Sequence, residues 1–338
     1  LGACTSLSAS SIMWNRTQLN AALQQTESQQ LLLNIVRQRY NDPVMFLDVA
    51  SISSSISRSG SLSLSAFLPS GLASNSYTTG LSGGFSEAPL VFYAPNSGEK
   101  FVRQILSPTD LRTFSLLLES GWSIERLFLV AVDAVNGIRN ANSGAGPEGG
   151  NPYMTFRQLT SALRDLQRDG RLVPSLAPTG DALLLTLSPE GRTSTQYQKI
   201  CKILALACDG SPIRMLLGVG AAPAASGYVT LTTRSLYGSF YFLSDGVDVT
   251  AESLAKGTAN QRSLTAGPFE NGGTLLHIQT SSSEPSGASV KVQYRGAWYY
   301  LGDTDSDSKT TFALVSMMLM LQGGDTARMQ PLVSIPSG

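Results

Sequence analysis

Charged residues, histidine, cysteine and long apolar runs are all scarce in this 338-residue chain. Asp, Glu, Lys and Arg make up 14% of the residues, and 24 basic residues balance 24 acidic ones. Ordinary soluble proteins carry roughly 25% charged residues. A neutral chain lacks the basic surface that nucleic acid requires, so no nucleic-acid partner is predicted. The sequence has no run of 18 apolar residues that would form a membrane-spanning helix, so strands or subunit contacts must explain the low charge.

The single histidine and the three cysteines argue against metal and cofactor chemistry. With His277 alone, no cluster of histidine and cysteine ligands can be assembled, and no metal or cofactor is predicted. On one helix, Cys201 and Cys208 would lie two turns apart, roughly 10 Å by the helical rise. That separation is too large for a disulfide. Both are therefore predicted to be buried small apolar residues.

Two motifs imitate functional sites but lack essential parts. Gly80-Leu81-Ser82-Gly83-Gly84 fits the G-x-S-x-G pattern of hydrolases, but a strand-like segment follows it where a helix is required. The run DTDSDS, 303–308, begins like a calcium-binding loop, yet Ser308 stands at the glycine position and Leu314 at the glutamate position. A polar turn that caps the next helix is predicted instead. The chain is therefore not expected to be an enzyme.

The first four residues, Leu1-Gly2-Ala3-Cys4, resemble the lipobox of bacterial lipoproteins. The resemblance implies cleavage before Cys4 and acyl chains on Cys4, which makes it the predicted lipidation site. The polar run that follows is typical of a flexible tether, so residues 1–13 are predicted to be lipobox and tether. The expected location is the bacterial outer membrane, with a lipid anchor and periplasmic domains.

Hydrophobic periodicity predicts an α+β protein. Residues 14–43 are predicted to form a long amphipathic helix, because leucine, isoleucine and valine recur there at helical spacing. From Val44 to Pro95 the period changes from 3.6 to 2, so an extended two-stranded β-hairpin is predicted within residues 44–105.

Two further domains are predicted after the hairpin. Residues 106–217 should form a helical domain with a small β-ribbon, in a winged-helix-like arrangement. Its last element is predicted to be a helix at 211–217, and the Gly- and Ala-rich run 218–227 should be a linker. The remaining residues, 218–338, are predicted to form a C-terminal α+β domain.

A serine occupies every odd position from Ser51 to Ser65. Because side chains alternate across a strand, one face of the hairpin should hold only small polar groups. A hydrated lumen opposite a lipid-facing surface is the requirement of a transmembrane β-barrel strand. The predicted lumen-facing residues are Ser51, Ser53, Ser55, Ser57, Ser59, Ser61, Ser63, Ser65, Ser76, Thr78, Ser82 and Ser86. The predicted lipid-facing residues are Leu62, Leu64, Leu68, Tyr77, Leu81 and Phe85.

Arg58 is the only charged residue between Asp48 and Glu87. At the bilayer midplane an arginine would cost roughly 2–4 kcal/mol, but near an interface it would cost almost nothing. If the membrane lies at residues 60–68, Arg58 falls at the inner boundary, where its side chain can snorkel into the headgroups.

Two strands cannot cross lipid alone, because both of their edges would leave unpaired backbone groups. Copies of this chain are therefore the predicted partners, each giving one hairpin to a closed barrel in a ring used for export or envelope passage. Outer-membrane lipid is a second predicted partner, and other envelope or secretion components are further candidates. The alternatives are a lipid-anchored periplasmic or surface scaffold that forms a non-membrane ring or fibre, and a monomeric scaffold.

The plan resembles that of ring-forming export-channel lipoproteins such as the curli-secretion channel. The run LLLNIVRQRYNDPVMFLDVASI also resembles an uncharacterised family of proteobacterial lipoproteins. This second resemblance extends through SGWSIERLF and YRGAWYYLGD to SKTTF and implies no known activity.

Overall fold

The computed structural model describes residues 6–66, 77–95, 98–140, 152–223, 226–260 and 275–323. These residues form a mixed α+β protein, as predicted. They fall into two compact units. The α+β unit contains the described residues up to Val44 and from Gly98 onward. The ribbon unit contains the described residues from Met45 to Pro95.

The helices and strands of the described residues are numbered along the chain. The helices are α1 (Ser6–Arg39), α2 (Glu99–Leu106), α3 (Leu111–Glu119), α4 (Ile124–Ala131), α5 (Pro152–Arg168), α6 (Pro189–Arg192), α7 (Thr195–Leu204), α8 (Leu236–Leu243), α9 (Ala251–Ala255) and α10 (Ser306–Gly323). The strands are β1 (Leu47–Ala66), β2 (Tyr77–Pro95), β3 (Val132–Val135), β4 (Ile138–Arg139), β5 (Leu172–Leu176), β6 (Ala182–Leu187), β7 (Ile213–Leu217), β8 (Val229–Thr233), β9 (Gln279–Ser281), β10 (Ala288–Tyr294) and β11 (Ala297–Gly302).

Helix α1 is the long N-terminal helix that the periodicity predicts, and it begins earlier than predicted. Residues 6–13, predicted to be part of a flexible tether, belong to it. Extending a helix that has already formed requires little free energy, and serine and alanine are compatible with it. Its second half buries Leu32, Ile35 and Val36 and packs against β10 and α8. The amide of Gln29 also donates to the carbonyl oxygen of Lys291 at 3.3 Å.

A six-stranded sheet, in the order β4-β3-β8-β7-β6-β5, forms the centre of the α+β unit. Only β7 and β8 in this sheet are parallel, and the run 218–227 connects them. The predicted domain boundary at 217/218 therefore falls inside one sheet. The predicted small ribbon, β5 and β6, forms one end of that sheet, so residues 106–217 are not a self-contained winged-helix-like domain.

The prediction of a helix at 211–217 is also wrong, because Ile213–Leu217 is strand β7. Periodicity alone does not separate short apolar strands from helices.

Helices α4 and α5 form the core of this unit. Every residue of α4 except Glu125 is buried, and the Phe128 ring lies edge-on to Phe114 at a centroid distance of 5.9 Å. Helix α5 buries Phe156, Leu159 and Leu163 at helical spacing. A three-stranded antiparallel sheet, in the order β10-β11-β9, and helix α10 complete the unit. The polar turn before α10 caps it as predicted, since the Ser308 amide donates to Asp305 Oδ1 at 3.0 Å.

The two central cysteines form a disulfide, which corrects the prediction that they are separate buried residues. Helix α7 contains Cys201 but ends at Leu204, and Ala205 adopts a left-handed conformation with φ of 54°. Cys208, with φ of 52°, lies on the returning chain. The turn brings the two Cα atoms to 5.6 Å, within bonding geometry, and the Cys201–Cys208 bond is formed. The predicted separation failed because it assumed one continuous helix.

Candidate functional site

The ribbon unit is a two-stranded antiparallel sheet of unusual length. Strand β1 has 20 residues and β2 has 19, and they pair from Leu47 opposite Pro95 to Ala66 opposite Tyr77. At about 3.4 Å per residue, the ribbon is roughly 65 Å long. Among the residues that the structure describes, neither outer edge of this sheet pairs with a third strand. We call this sheet the β1–β2 ribbon.

The register places the small polar residues of the two strands opposite one another in the half of the ribbon that ends at Ala66 and Tyr77. Residues directly opposite in an antiparallel pair belong to the same face of the sheet. The pairs are Ser57–Ser86, Ser59–Gly84, Ser61–Ser82, Ser63–Gly80 and Ser65–Thr78. The predicted lumen-facing residues 57–65 and 78–86 therefore occupy matching register positions. Ser76 lies outside the described residues.

The predicted lipid-facing residues also occupy matching positions in this half. Leu62 is opposite Leu81, Leu64 is opposite Thr79, and Tyr77 is opposite Ala66. Arg58 is opposite Phe85, and this pair lies two residues along the strands from the Gly60–Gly83 pair. Leu68 lies outside the described residues. Whether one set of positions meets water and the other meets lipid stays a prediction.

The other half of the ribbon does not keep this separation. Ser51, Ser53 and Ser55 were predicted to share an entirely small, polar face, but they are opposite Phe92, Leu90 and Ala88. A β-bulge at Ala50 then shifts the register, so that Val49 is opposite Tyr93. The alternation of β1 alone could not reveal this mixture, because it depends on which part of β2 is the partner.

Pro89 limits pairing along the outer edge of β2. It lies opposite Ser54 in the ladder and has no backbone N–H. Residues of an antiparallel pair alternate between positions that exchange hydrogen bonds and positions that do not. Without an N–H, Pro89 must occupy a position of the second kind. The backbone N–H that Pro89 lacks would therefore point to the outer edge of β2. A strand that pairs with this edge would form one hydrogen bond fewer at Pro89.

A cluster of polar and aromatic groups fixes the end of α1 in the α+β unit. The Tyr294 hydroxyl donates to Asp42 Oδ2, and Arg295 Nη2 lies 2.7 Å from the same oxygen. The Arg295 guanidinium also lies 4.9 Å from the centre of the Tyr40 ring. Burial raises the pKa of the Asp42 carboxyl, but the hydrogen bonds from Tyr294 and Arg295 outweigh it and hold the pKa below its usual value. We call Tyr40, Asp42, Tyr294, Arg295 and Tyr299 the clamp.

The aromatic strand β11 supplies the buried part of the clamp. Tyr299 is fully buried, and its hydroxyl shares a hydrogen bond with that of Tyr40, whose ring meets it edge-on at 6.2 Å. Burial and the hydrogen bond to Tyr40 raise the pKa of Tyr299 above its usual value. The clamp therefore holds the chain at Asp42, three residues before the ribbon unit begins at Met45.

The groups that resemble catalytic or metal-binding motifs are not assembled into a site within the described residues. The G-x-S-x-G motif lies inside β2, which continues as strand to Pro95, so the helix of a nucleophile elbow does not follow it. His277 pairs with Asp248 at 3.1 Å, and both side chains are partly exposed. Among the described residues, no group of three or more histidine, cysteine, aspartate or glutamate side chains is placed to hold a metal ion. The same part of the chain contains no helix long and apolar enough to cross a bilayer.

Comparison with protein-family models, with curated proteins and with solved structures finds no match to this chain. The resemblances to lipoproteins noted in the sequence therefore stay predictions. Cys4 lies outside the described residues.

Proposed function

We propose that this chain is the structural subunit of a homo-oligomeric ring in the bacterial outer membrane. Each protomer gives its β1–β2 ribbon to a shared β-barrel that serves export or passage across the envelope. One observation carries the proposal: an antiparallel ribbon of 20 and 19 residues whose outer edges have no strand partner among the described residues.

Backbone hydrogen bonding supports self-assembly. In an antiparallel strand, about half of the N–H and C=O groups point to each side, so each ribbon directs a row of them outward along both edges. In lipid every unsatisfied group costs several kcal/mol. When copies pair β2 of one protomer with β1 of the next, these groups are satisfied except opposite Pro89, and a closed ring leaves no edge.

The pattern of residues supports a membrane position in the half of the ribbon that ends at Ala66 and Tyr77. A barrel strand needs about 9–11 residues to cross the bilayer. In the described part of the proposed span 60–68, the small polar pairs Ser61–Ser82, Ser63–Gly80 and Ser65–Thr78 alternate with the pairs Leu62–Leu81, Leu64–Thr79 and Ala66–Tyr77. Arg58, opposite Phe85, lies just outside this span. The remaining part of the ribbon would continue the wall on the periplasmic side, where this separation is not required.

The disulfide supports the proposed compartment. Structural disulfides form and persist in oxidising environments such as the bacterial periplasm, and they are rare in the cytosol. The Cys201–Cys208 bond links the end of α7 to the loop before β7, inside the unit that we place in the periplasm. The proposed lipid anchor on Cys4 would hold the same unit to the inner leaflet of the outer membrane.

Detergent dependence and conductance of the purified full-length chain test the proposal. We expect a high-mass species that needs detergent and dissociates on boiling, and we expect discrete conductance steps in planar bilayers. Cys4→Ser serves as the control, because it removes the anchor but leaves the ribbon intact. If Cys4→Ser is fully soluble without detergent and the wild-type protein gives no conductance, the membrane barrel is ruled out.

The second candidate function is a lipid-anchored scaffold that forms a ring or fibre outside the membrane. The half of the ribbon near residues 47–55 favours it, because apolar residues Ala88, Leu90 and Phe92 lie opposite the serines there. Edge pairing between copies would serve a scaffold equally well. High-mass assemblies that form without detergent and conduct no ions would support the scaffold.

A further inference from the structure

A groove of about 430 Å³ lies on the α+β unit, where the C-terminal ends of α3 and α5 lie beside the edge strand β5. Small-molecule sites in proteins have volumes of roughly 300–1,000 Å³. All of the residues that line this groove belong to the α+β unit. They include Leu118 on α3, Arg164 and Gln167 on α5, and Leu172, Val173 and Pro174 on β5.

Arg164 gives the groove a half-buried positive charge that is held in place. Its guanidinium Nη1 donates to Gln167 Oε1 at 3.0 Å. Gln167 is itself fixed, because its Oε1 accepts from the Ile124 amide at 2.9 Å and its Nε2 donates to the Trp122 carbonyl oxygen at 2.9 Å. The Arg164 side chain is therefore positioned by a neutral amide before any ligand arrives.

The acidic residues closest to Arg164 in the sequence are paired with a different arginine. Asp165 and Asp169 lie 3.1 and 3.7 Å from the Arg168 guanidinium. In the part of the chain that the structure describes, no ion pair includes Arg164. A half-buried guanidinium with only a neutral acceptor favours an anionic ligand, and its planar fork of N–H groups matches the two oxygens of a carboxylate.

The outer edge of β5 adds backbone hydrogen-bonding groups to the groove. Pro174 is opposite Leu185 and has no N–H, so it occupies a position that does not exchange hydrogen bonds with β6. The Ala177 amide donates to the Ala182 carbonyl oxygen across the same pair of strands, as this alternation requires. Leu172 is two residues before Pro174, so its N–H and C=O also point away from β6, and none of the described strands pairs with this edge.

These backbone groups suit a short peptide end better than a full added strand. A ligand residue that lies alongside Leu172 can exchange two hydrogen bonds with it. Pro174 cannot donate to the next position of such a strand, so pairing along the whole edge is prevented.

The remaining surface of the groove is mainly apolar. Leu118 and Leu172 are buried beneath it, and Val173 is 60% exposed. An apolar side chain on the ligand would be removed from water against these residues. Glu119, which accepts a hydrogen bond from the Ser115 hydroxyl, is exposed in the same groove. Its negative charge disfavours a ligand that carries a second carboxylate.

We propose that this groove binds the C-terminal end of a peptide whose last residue is apolar. The terminal carboxylate pairs with Arg164, the backbone of the last residue exchanges hydrogen bonds with Leu172, and its side chain packs on Leu118 and Val173. The site lies entirely in the α+β unit, so it is independent of the membrane function proposed for the ribbon.

Calorimetric titration of the full-length protein with three small probes tests the site. The first is an acetylated alanine-alanine-leucine tripeptide with a free carboxylate, and the second is the same tripeptide with a C-terminal amide. The third is 4-methylpentanoate, which keeps the carboxylate and the branched side group of leucine but has no peptide backbone. We expect the tripeptide acid to bind about tenfold more tightly than either of the other probes.

Two results of this titration would overturn the proposal. One is the absence of saturable binding of the tripeptide acid below about 1 mM. The other is equal binding of 4-methylpentanoate and the tripeptide acid, which would mean that the groove takes a small organic acid such as a lipid fragment rather than a peptide.

A matched pair of substitutions on α5 locates the charge that binds the carboxylate. Arg164→Gln should abolish the preference for the tripeptide acid over the amide. Arg168→Gln, one helical turn away and outside the groove, should keep this preference, and circular dichroism should show both variants folded. An unchanged preference in Arg164→Gln, or an equal loss in both variants, would overturn the proposal.

Val173→Asp gives a second test at an exposed position, where substitution does not disturb the core. The new carboxylate should weaken binding of the tripeptide acid more than binding of the amide, because only the acid is repelled by it. Binding of the tripeptide acid at wild-type strength by Val173→Asp would overturn the proposal.

Discussion

The α+β unit and the ribbon unit differ in the length of the strands at the edges of their sheets. In the α+β unit the edge strands of the six-stranded sheet are short, two residues in β4 and five in β5, and β5 carries Pro174. Short edges and edge prolines are the devices by which proteins prevent strand pairing between molecules. The ribbon has edges of 20 and 19 residues. Pro89 removes one donor from the outer edge of β2, but the rest of both long edges keeps its backbone groups, which under the proposed function pair with other copies of the chain.

The two units should also differ in how their stability depends on protein concentration. The α+β unit buries large aromatic side chains within one chain, while the proposed barrel exists only between chains.

Phe128→Ala should destabilise the α+β unit by about 3–5 kcal/mol, because it leaves a cavity against Phe114 in a fully buried core. Chemical unfolding followed by tryptophan fluorescence measures the change. The loss should be the same at two protein concentrations tenfold apart. A loss that shrinks as the protein is concentrated would mean that the core itself depends on assembly.

Leu64→Arg should prevent the ribbon from entering membranes, whereas Ser63→Arg should be tolerated and alter conductance. A lipid-facing arginine at mid-depth costs about 2–4 kcal/mol in each protomer, while a lumen position stays hydrated. The fraction of protein that floats with liposomes and the single-channel conductance measure the two effects. Equal effects at these adjacent positions would contradict the assignment of the two faces.

Removal of the disulfide by paired Cys201→Ala and Cys208→Ala substitutions should cost the α+β unit about 2.5 kcal/mol, the chain-entropy value for a loop of this size. Thermal unfolding of the variant and of the reduced wild-type protein should give the same lowered midpoint. Assembly of the ribbon should not change, since the disulfide lies in the other unit. A wild-type protein isolated from cells with both thiols free would contradict the proposed compartment.

Asp42→Asn should cause the smallest loss, about 1 kcal/mol at neutral pH, because it removes the charge-assisted bonds to Tyr294 and Arg295 in a partly exposed clamp. The lowered pKa of Asp42 means that its contribution is present above the ordinary aspartate pKa and disappears as the pH falls through the folded-state pKa. The stability difference between wild type and variant should therefore shrink once the pH falls below the ordinary aspartate pKa, and disappear below the lowered folded-state pKa. A difference that is unchanged at acid pH would exclude ionisation of Asp42 as its source.

The sequence predicted those features that depend on local patterns. The helical spacing of Leu32, Ile35 and Val36 located α1, and polar residues before α10 predicted its cap. It failed where distant segments decide the structure and where a helix ends without a recognised signal. The short apolar run Ile213–Leu217 became a strand because it lies between β6 and β8, and the disulfide became possible because Ala205 ends α7. The apolar residues opposite Ser51, Ser53 and Ser55 were missed for the same reason, since register belongs to the pair of strands.

Electron microscopy of the full-length protein purified in detergent tests the central claim most directly. We predict closed rings in which every protomer contributes two adjacent strands to one continuous barrel, with β2 of each protomer paired to β1 of the next. Monomeric particles, or rings in which each ribbon packs only on its own protomer, would contradict the account.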